Sequence, residues 1–186
     1  MPRHAFLFVI AAIAIHVPPA TRAQLADGLP TRKSGQWEMH MVTDKPAGGP
    51  TMDAQMCIDA GTDRDLMEFG LRMSRNNCKR YDIKRAGQGW VLDTECALGP
   101  IQSVAHTTIS GDFQSNITVR IEGTTEGMPG ATKGPQQLLM TQTGRWMGAT
   151  CSGGMVPGDI TLAGGVKFNV KQIKGLQKLL PNIIVQ

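Results

Sequence analysis

Aromatic side chains make up only 5% of this 186-residue chain: one Tyr, three Trp and five Phe. So small a supply excludes a core built on stacked rings and leaves Met, Leu, Ile, Val and small residues to line the interior. Charge of one sign is also scarce. A formal net charge of +4, scattered along the chain, is too little for a committed nucleic-acid binder. Charged residues reach 18% against 41% hydrophobic, which excludes a disordered chain. The 22 Gly and 11 Pro follow no three-residue period, which excludes collagen. No C-x-x-C, G-x-S-x-G or phosphate-cradling glycine loop occurs, and Gly87-Gln88-Gly89 has the form of a hairpin connection instead.

What is present begins with an address. Arg3 and His4 give a basic start, the thirteen residues Ala5 to Val17 are apolar apart from His16, and Pro18-Pro19 stops the run. A membrane-spanning helix needs about 20 apolar residues, so this run is too short. Thr21-Arg22-Ala23 reads as a cleavage site before Gln24, and no Cys stands nearby to carry a lipid. Residues 1–23 are therefore expected to be a signal peptide, and the mature chain to be soluble and periplasmic or secreted. Without Arg3 and Arg22 the mature chain carries seventeen basic against fifteen acidic residues. The excess lies in residues 155–186, where Lys167, Lys171, Lys174 and Lys178 face Asp159 alone, while residues 24–154 are near neutral.

Four cysteines behind an export signal point to two disulfides. Three pairings are open. The preferred one joins Cys57 to Cys78, bracketing a short helical insert, and Cys96 to Cys151, tying a mid-sheet strand to the last. Spacings of 21, 18 and 55 match no zinc finger, and for want of C-x-x-C a redox-active pair is not expected.

Alternation marks the strands. Trp37, Met39 and Met41 share one face against Glu38, His40 and Val42, and Met52, Ala54 and Met56 resume the pattern up to Cys57. Thr62 and Asp65 then resemble a capping box, and Leu66, Phe69 and Met73 recur at helical spacing up to Asn76-Asn77. Strands are expected again over 79–85, at Trp90, Leu92, Thr94 and Cys96, over 103–110, over Phe113 to Glu122, and over 136–146. From Val166, Val170, Ile173 and Leu180 form a helical stripe beside the four lysines, so a basic amphipathic helix is expected before Pro181. The fold class is thus mainly β: an antiparallel meander sheet or open barrel, with one short helix insert and a C-terminal helix. The expected division is signal peptide 1–23, disulfide-stapled β domain 24–154 and basic tail 155–186.

Several short runs in a fixed order resemble a known family. These are Gly35-Gln36-Trp37-Glu38, Met56-Cys57-Ile58, Cys78, Asp93-Thr94-Glu95-Cys96 and Gly144-Arg145-Trp146-Met147-Gly148-x-x-Cys151. They are similar to small bacterial periplasmic proteins known as domain of unknown function thirty-six seventeen. The resemblance covers roughly Gly35 to Cys151. It departs at Ala149-Thr150, where the family usually places its cysteine one residue closer to the glycine. It implies an envelope location and a β-rich domain, and it brings no catalytic residues and no ligand.

Candidate chemistry is thin. Met39-His40-Met41 suggests soft Cu(I) ligands, but on a strand both thioethers point away from His40. Met52, Met56, Met128 and Met140 are the other methionines that could assemble with them. His106 could be set beside Asp93 or Asp112 and a serine, a choice that any protein with one such histidine permits. Asp63 and Asp65 read as helix-start residues that complement the macrodipole. No catalytic residue, metal or cofactor is expected, and the chain is read as no enzyme. The function expected is a non-enzymatic binding module for a small apolar ligand or an envelope component. Lys167, Lys171, Lys174 and Lys178 form the surface offered to an envelope protein or an anionic membrane. The alternative is a structural or stress-related envelope protein acting through protein–protein contacts.

Overall fold

The computed structural model describes residues 29–128 and 133–172, apart from the side chains of residues 69–75. The expected signal peptide and residues 173–186 of the tail, with Lys174 and Lys178, lie outside the described residues. In chain order the elements are β1 (Gly35–Lys45), β2 (Thr51–Ile58), α1 (Ala60–Asn77), β3 (Cys78–Ala86), β4 (Gly89–Leu98) and β5 (Ile101–Gly111). They continue with β6 (Asn116–Glu126), β7 (Gln136–Gly148), β8 (Asp159–Leu162) and β9 (Lys167–Asn169). All nine strands form one antiparallel sheet in the order β3-β4-β5-β6-β7-β1-β2-β8-β9. The mainly β class expected from the alternation is what the chain adopts, as an open sheet.

Period-two patterning sorts the sheet into two faces. On the inner face the ladder aligns Trp146, Trp37, Met56, Ile160 and Phe168 in one cross-strand row, and Ile117, Gly144, Met39, Ala54 and Leu162 in the next. These two rows supply most of the buried core, with Trp37 fully buried. At Gly144 a Cβ would lie 2.9 Å from the Met39 sulfur, so a larger residue there has to displace the end of that side chain. Gly123 serves a different need: a Cβ would stand 2.0 Å from the Val104 carbonyl oxygen, so only a bare backbone lets β6 come this close to β5.

Helix α1 begins earlier than the Thr62 start that the spacing suggests. Asp59 is the N-cap: its carboxylate accepts from the Thr62 N–H at 2.7 Å, and the Thr62 hydroxyl accepts from the Asp59 N–H at 2.9 Å. The helix leaves β2 at the Trp37 end of the sheet and enters β3 at the opposite end, where Cys78 pairs with Cys96. Eighteen helical residues span about 27 Å.

That span corrects the preferred disulfide pairing. Cys57 and Cys78 stand at opposite ends of α1, far beyond the roughly 7 Å that a bridge tolerates between Cα atoms. The bonds formed are Cys57–Cys151 and Cys78–Cys96, with Cα separations of 5.7 and 3.8 Å. Each joins cysteines at the same end of the sheet.

Two other expectations are corrected. Phe113 does not open a strand. It sits in the β5–β6 turn at φ +59°, held by the Asp112 carboxylate, which accepts from the N–H groups of Gln114, Ser115 and Asn116 and from the Ser115 hydroxyl. The left-handed backbone is offset by burial of the ring, which stands edge-on to Trp90 at 5.4 Å. Nor is the segment from Val166 helical throughout. Lys167 lies on β9, where it ion-pairs with Asp159 at 2.8 Å, and helix starts only at Val170. Residues 159–169 thereby continue the main sheet through β8 and β9.

Both turn carboxylates predict acid sensitivity. Hydrogen bonds from Ser115, Asn116 and Gln114 hold Asp112 far below the usual range, and Lys167, the Val156 N–H and Asn169 lower Asp159 to about 2. An unfolded aspartate titrates near 3.9, so between about pH 4 and pH 2 the unfolded chain binds the protons. The stabilisation is complete above about pH 4 and is lost as the pH falls through 2. The melting temperature should drop steeply across that window in wild type and less steeply in the Asp112→Asn/Asp159→Asn variant.

Candidate functional site

The inner face changes character along its length. Beyond the two buried rows, Trp90, Ile109, Val119, Gln142 and Met41 align, followed by Ile83, Leu92, Thr107, Ile121 and Met140, then by Tyr81, Thr94, Ala105, Gly123 and Leu138. Apart from buried Thr107, these residues are only half-buried, although α1 runs from one end of the sheet to the other on this side. The result is an apolar strip, continuous with the core and accessible beside the helix.

The helix is fixed over this face by a buried ion pair. Asp63, fully buried in the first turn of α1, receives the Arg32 N–H at 2.7 Å, the Arg32 Nε–H at 2.8 Å and a guanidinium contact at 2.7 Å. The same guanidinium reaches the sulfurs of Met39 and Met56 at 3.9 and 3.7 Å and lies 5.9 Å from the Trp37 ring centre. Two methionines of the imagined copper set therefore face a protein cation. Asp63 does more than complement the helix dipole, because it anchors α1 to the segment ahead of β1. Nothing periodic marks Arg32 in the sequence, and the adjacent cations Arg32 and Lys33 ahead of Gly35-Gln36-Trp37 do not tell which of them is buried.

The outer face is exposed and polar. His40 and His106 each hydrogen-bond an aspartate directly opposite on the neighbouring strand, His40 with Asp53 at 2.6 Å and His106 with Asp93 at 2.7 Å. The bond from His106 holds Asp93 below the usual carboxylate range. Strands β6 and β7 separate the two pairs. A groove of about 580 Å³ includes His40, Asp53, Thr118, Thr143 and Arg145, and Arg145 is paired with Glu38 at 2.9 Å. Asp112, the other aspartate set beside His106, is committed to its turn. Among the described residues no group of three or more His, Cys, Asp or Glu is placed to hold a metal ion. Met140 points inward, Met52 is half-exposed at the sheet margin, and Met128 is exposed in the β6–β7 loop. These three do not converge. Of the tail lysines, Lys167 is partnered on β9 and Lys171 stands exposed in the first helical turn after it.

A family model described as a protein of unknown function (DUF3617) matches residues 32–151, well over half of the chain. The chain belongs to that family. The match opens on Arg32 of the buried ion pair and closes on Cys151 of the longer disulfide loop. Neither the curated proteins nor the solved structures contain a match. The two disulfides, which leave no cysteine free among the described residues, are consistent with an oxidising, exported location.

Proposed function

We propose that the chain is an exported, non-catalytic binding module whose inner sheet face takes a small apolar ligand. The observation that carries this reading is the accessible strip of Leu92, Val119, Ile121, Leu138 and Met140, which continues a fully buried core without being buried itself. Apolar side chains with scattered hydroxyls (Thr94, Thr107) are the lining that small-molecule sites favour. Methionine adds a lining that adapts to ligand shape. The outer face supports the same reading by default, because its histidines are engaged with aspartates on separate strands.

Protein purified from its own host should carry a ligand that organic extraction and native mass spectrometry detect. A fluorescent fatty acid should bind the extracted protein and be displaced by the extract. Ile121→Glu places a carboxylate in the middle row and should weaken probe binding by about tenfold or more, given the cost of burying an unpaired charge. Thr118→Glu, on the outer face of the same strand, should leave binding unchanged. Equal binding by wild type and Ile121→Glu, or a dry interior that takes up no probe, rejects the proposal.

A further inference from the structure

We propose that the Cys78–Cys96 disulfide is a thiol-exchange site, a bond that the folded protein presents to a dithiol reductant while Cys57–Cys151 stays closed. Such exchange does not depend on a ligand at the inner face of the sheet. The bond is a target of exchange, which needs no C-x-x-C motif in this chain.

The two bonds differ in one sulfur: Cys57 is buried, whereas its partner Cys151 is half-buried like Cys78 and Cys96. Cys57 is 2% exposed and lies beneath residues 151–158, whose Ser152 N–H donates to the Gln36 side chain and whose Gly158 N–H donates to the Cys57 carbonyl. Cys78 and Cys96 are half-buried at the other end of the sheet. Both line an open cavity of about 680 Å³ together with Lys79, Glu95, Ser103 and Thr125. Exchange rates depend on access to a sulfur, and a cavity of this size admits a small dithiol or the tip of a protein loop. Strand β3 is the edge of the sheet, so no further strand screens the bond on that side. At the mouth of the same cavity Lys79 is ion-paired with Glu95 at 2.5 Å, and both side chains are exposed to solvent.

The step balances. One thiolate of the dithiol attacks either sulfur, the S–S bond breaks, and the other cysteine departs as a thiolate that takes up a proton. The second thiolate of the reductant then attacks the mixed disulfide, releasing the remaining cysteine, which is protonated in turn, and leaving the reductant oxidised. Two electrons and two protons end on Cys78 and Cys96. The hairpin survives, because the ladder from Arg80 opposite Glu95 to Ala86 opposite Gly89 does not depend on the bond. What is released is the junction at which α1 passes into β3.

The test uses the full mature protein in native buffer with graded dithiothreitol, followed by alkylation and peptide mass mapping. Cys78 and Cys96 should label together about tenfold faster, or more, than Cys57 and Cys151, with far-UV circular dichroism unchanged. The Cys78→Ser/Cys96→Ser variant should fold and show no labelling at the same reductant concentrations. Simultaneous reduction of both bonds, earlier opening of Cys57–Cys151, or labelling of Cys78 and Cys96 only in denaturant would each overturn the assignment.

Discussion

Asp63→Ala is expected to destabilise the protein by about 3–5 kcal/mol, because it strands the Arg32 guanidinium in a site where that side chain is only 10% exposed. Against a net stability of about 5–15 kcal/mol this is a large fraction. Arg32→Ala should cost a similar amount by leaving the Asp63 carboxylate buried and unpaired. The double replacement Arg32→Met/Asp63→Leu should recover most of the loss, since neither charge is then buried alone. Urea unfolding followed by Trp fluorescence reads all three, because Trp37 lies against the ion pair. Single variants within about 1 kcal/mol of wild type would show that water reaches the pair and that α1 is held by packing alone.

Removing Cys57–Cys151 should cost more than removing Cys78–Cys96. The longer bond closes 94 residues and the shorter one 18. Loop-closure entropy assigns about 4.7 kcal/mol to a 100-residue loop and about 3 kcal/mol to one of 15 residues. Cys57→Ala/Cys151→Ala should therefore unfold at markedly lower denaturant than Cys78→Ala/Cys96→Ala, when both are measured without reductant. The corrected pairing also changes what single replacements leave behind: Cys96→Ala frees Cys78, and Cys57→Ala frees Cys151. Alkylation of each single variant identifies the liberated thiol.

Strand content was legible because alternation is a local property. Trp37 to Met41, Trp90 to Cys96 and Ile117 to Ile121 each alternate within a few residues, and each lies on the face its pattern assigns. Strands β8 and β9 escaped because four and three residues are too short to show a period. There Val166 and Lys167 fit the helical spacing as well as Val170 and Lys171 do, although the helix starts only at Val170. Phe113 was misplaced for a related reason. Its apolar side chain fits the alternation of β6, while the turn chemistry of Asp112 decides its backbone. The disulfide pairing failed on a non-local quantity, since proximity in sequence says nothing about which end of the sheet a helix reaches. The apolar lining of the candidate site was partly readable, as the Met-rich and aliphatic inward positions; its accessibility depends on where α1 crosses, which no single segment records.

The sheet order has one more consequence, in time. Strand β1 is flanked by β2 and by β7, and the β7 partners of its residues stand roughly a hundred positions later in the chain. The Trp37–Trp146 row cannot assemble until residue 146 has been synthesised, and closing so long a loop slows folding. The hairpins from β3 to β7 can pair as they emerge, but the buried rows that join β7 to β1 close only after β7 has been made.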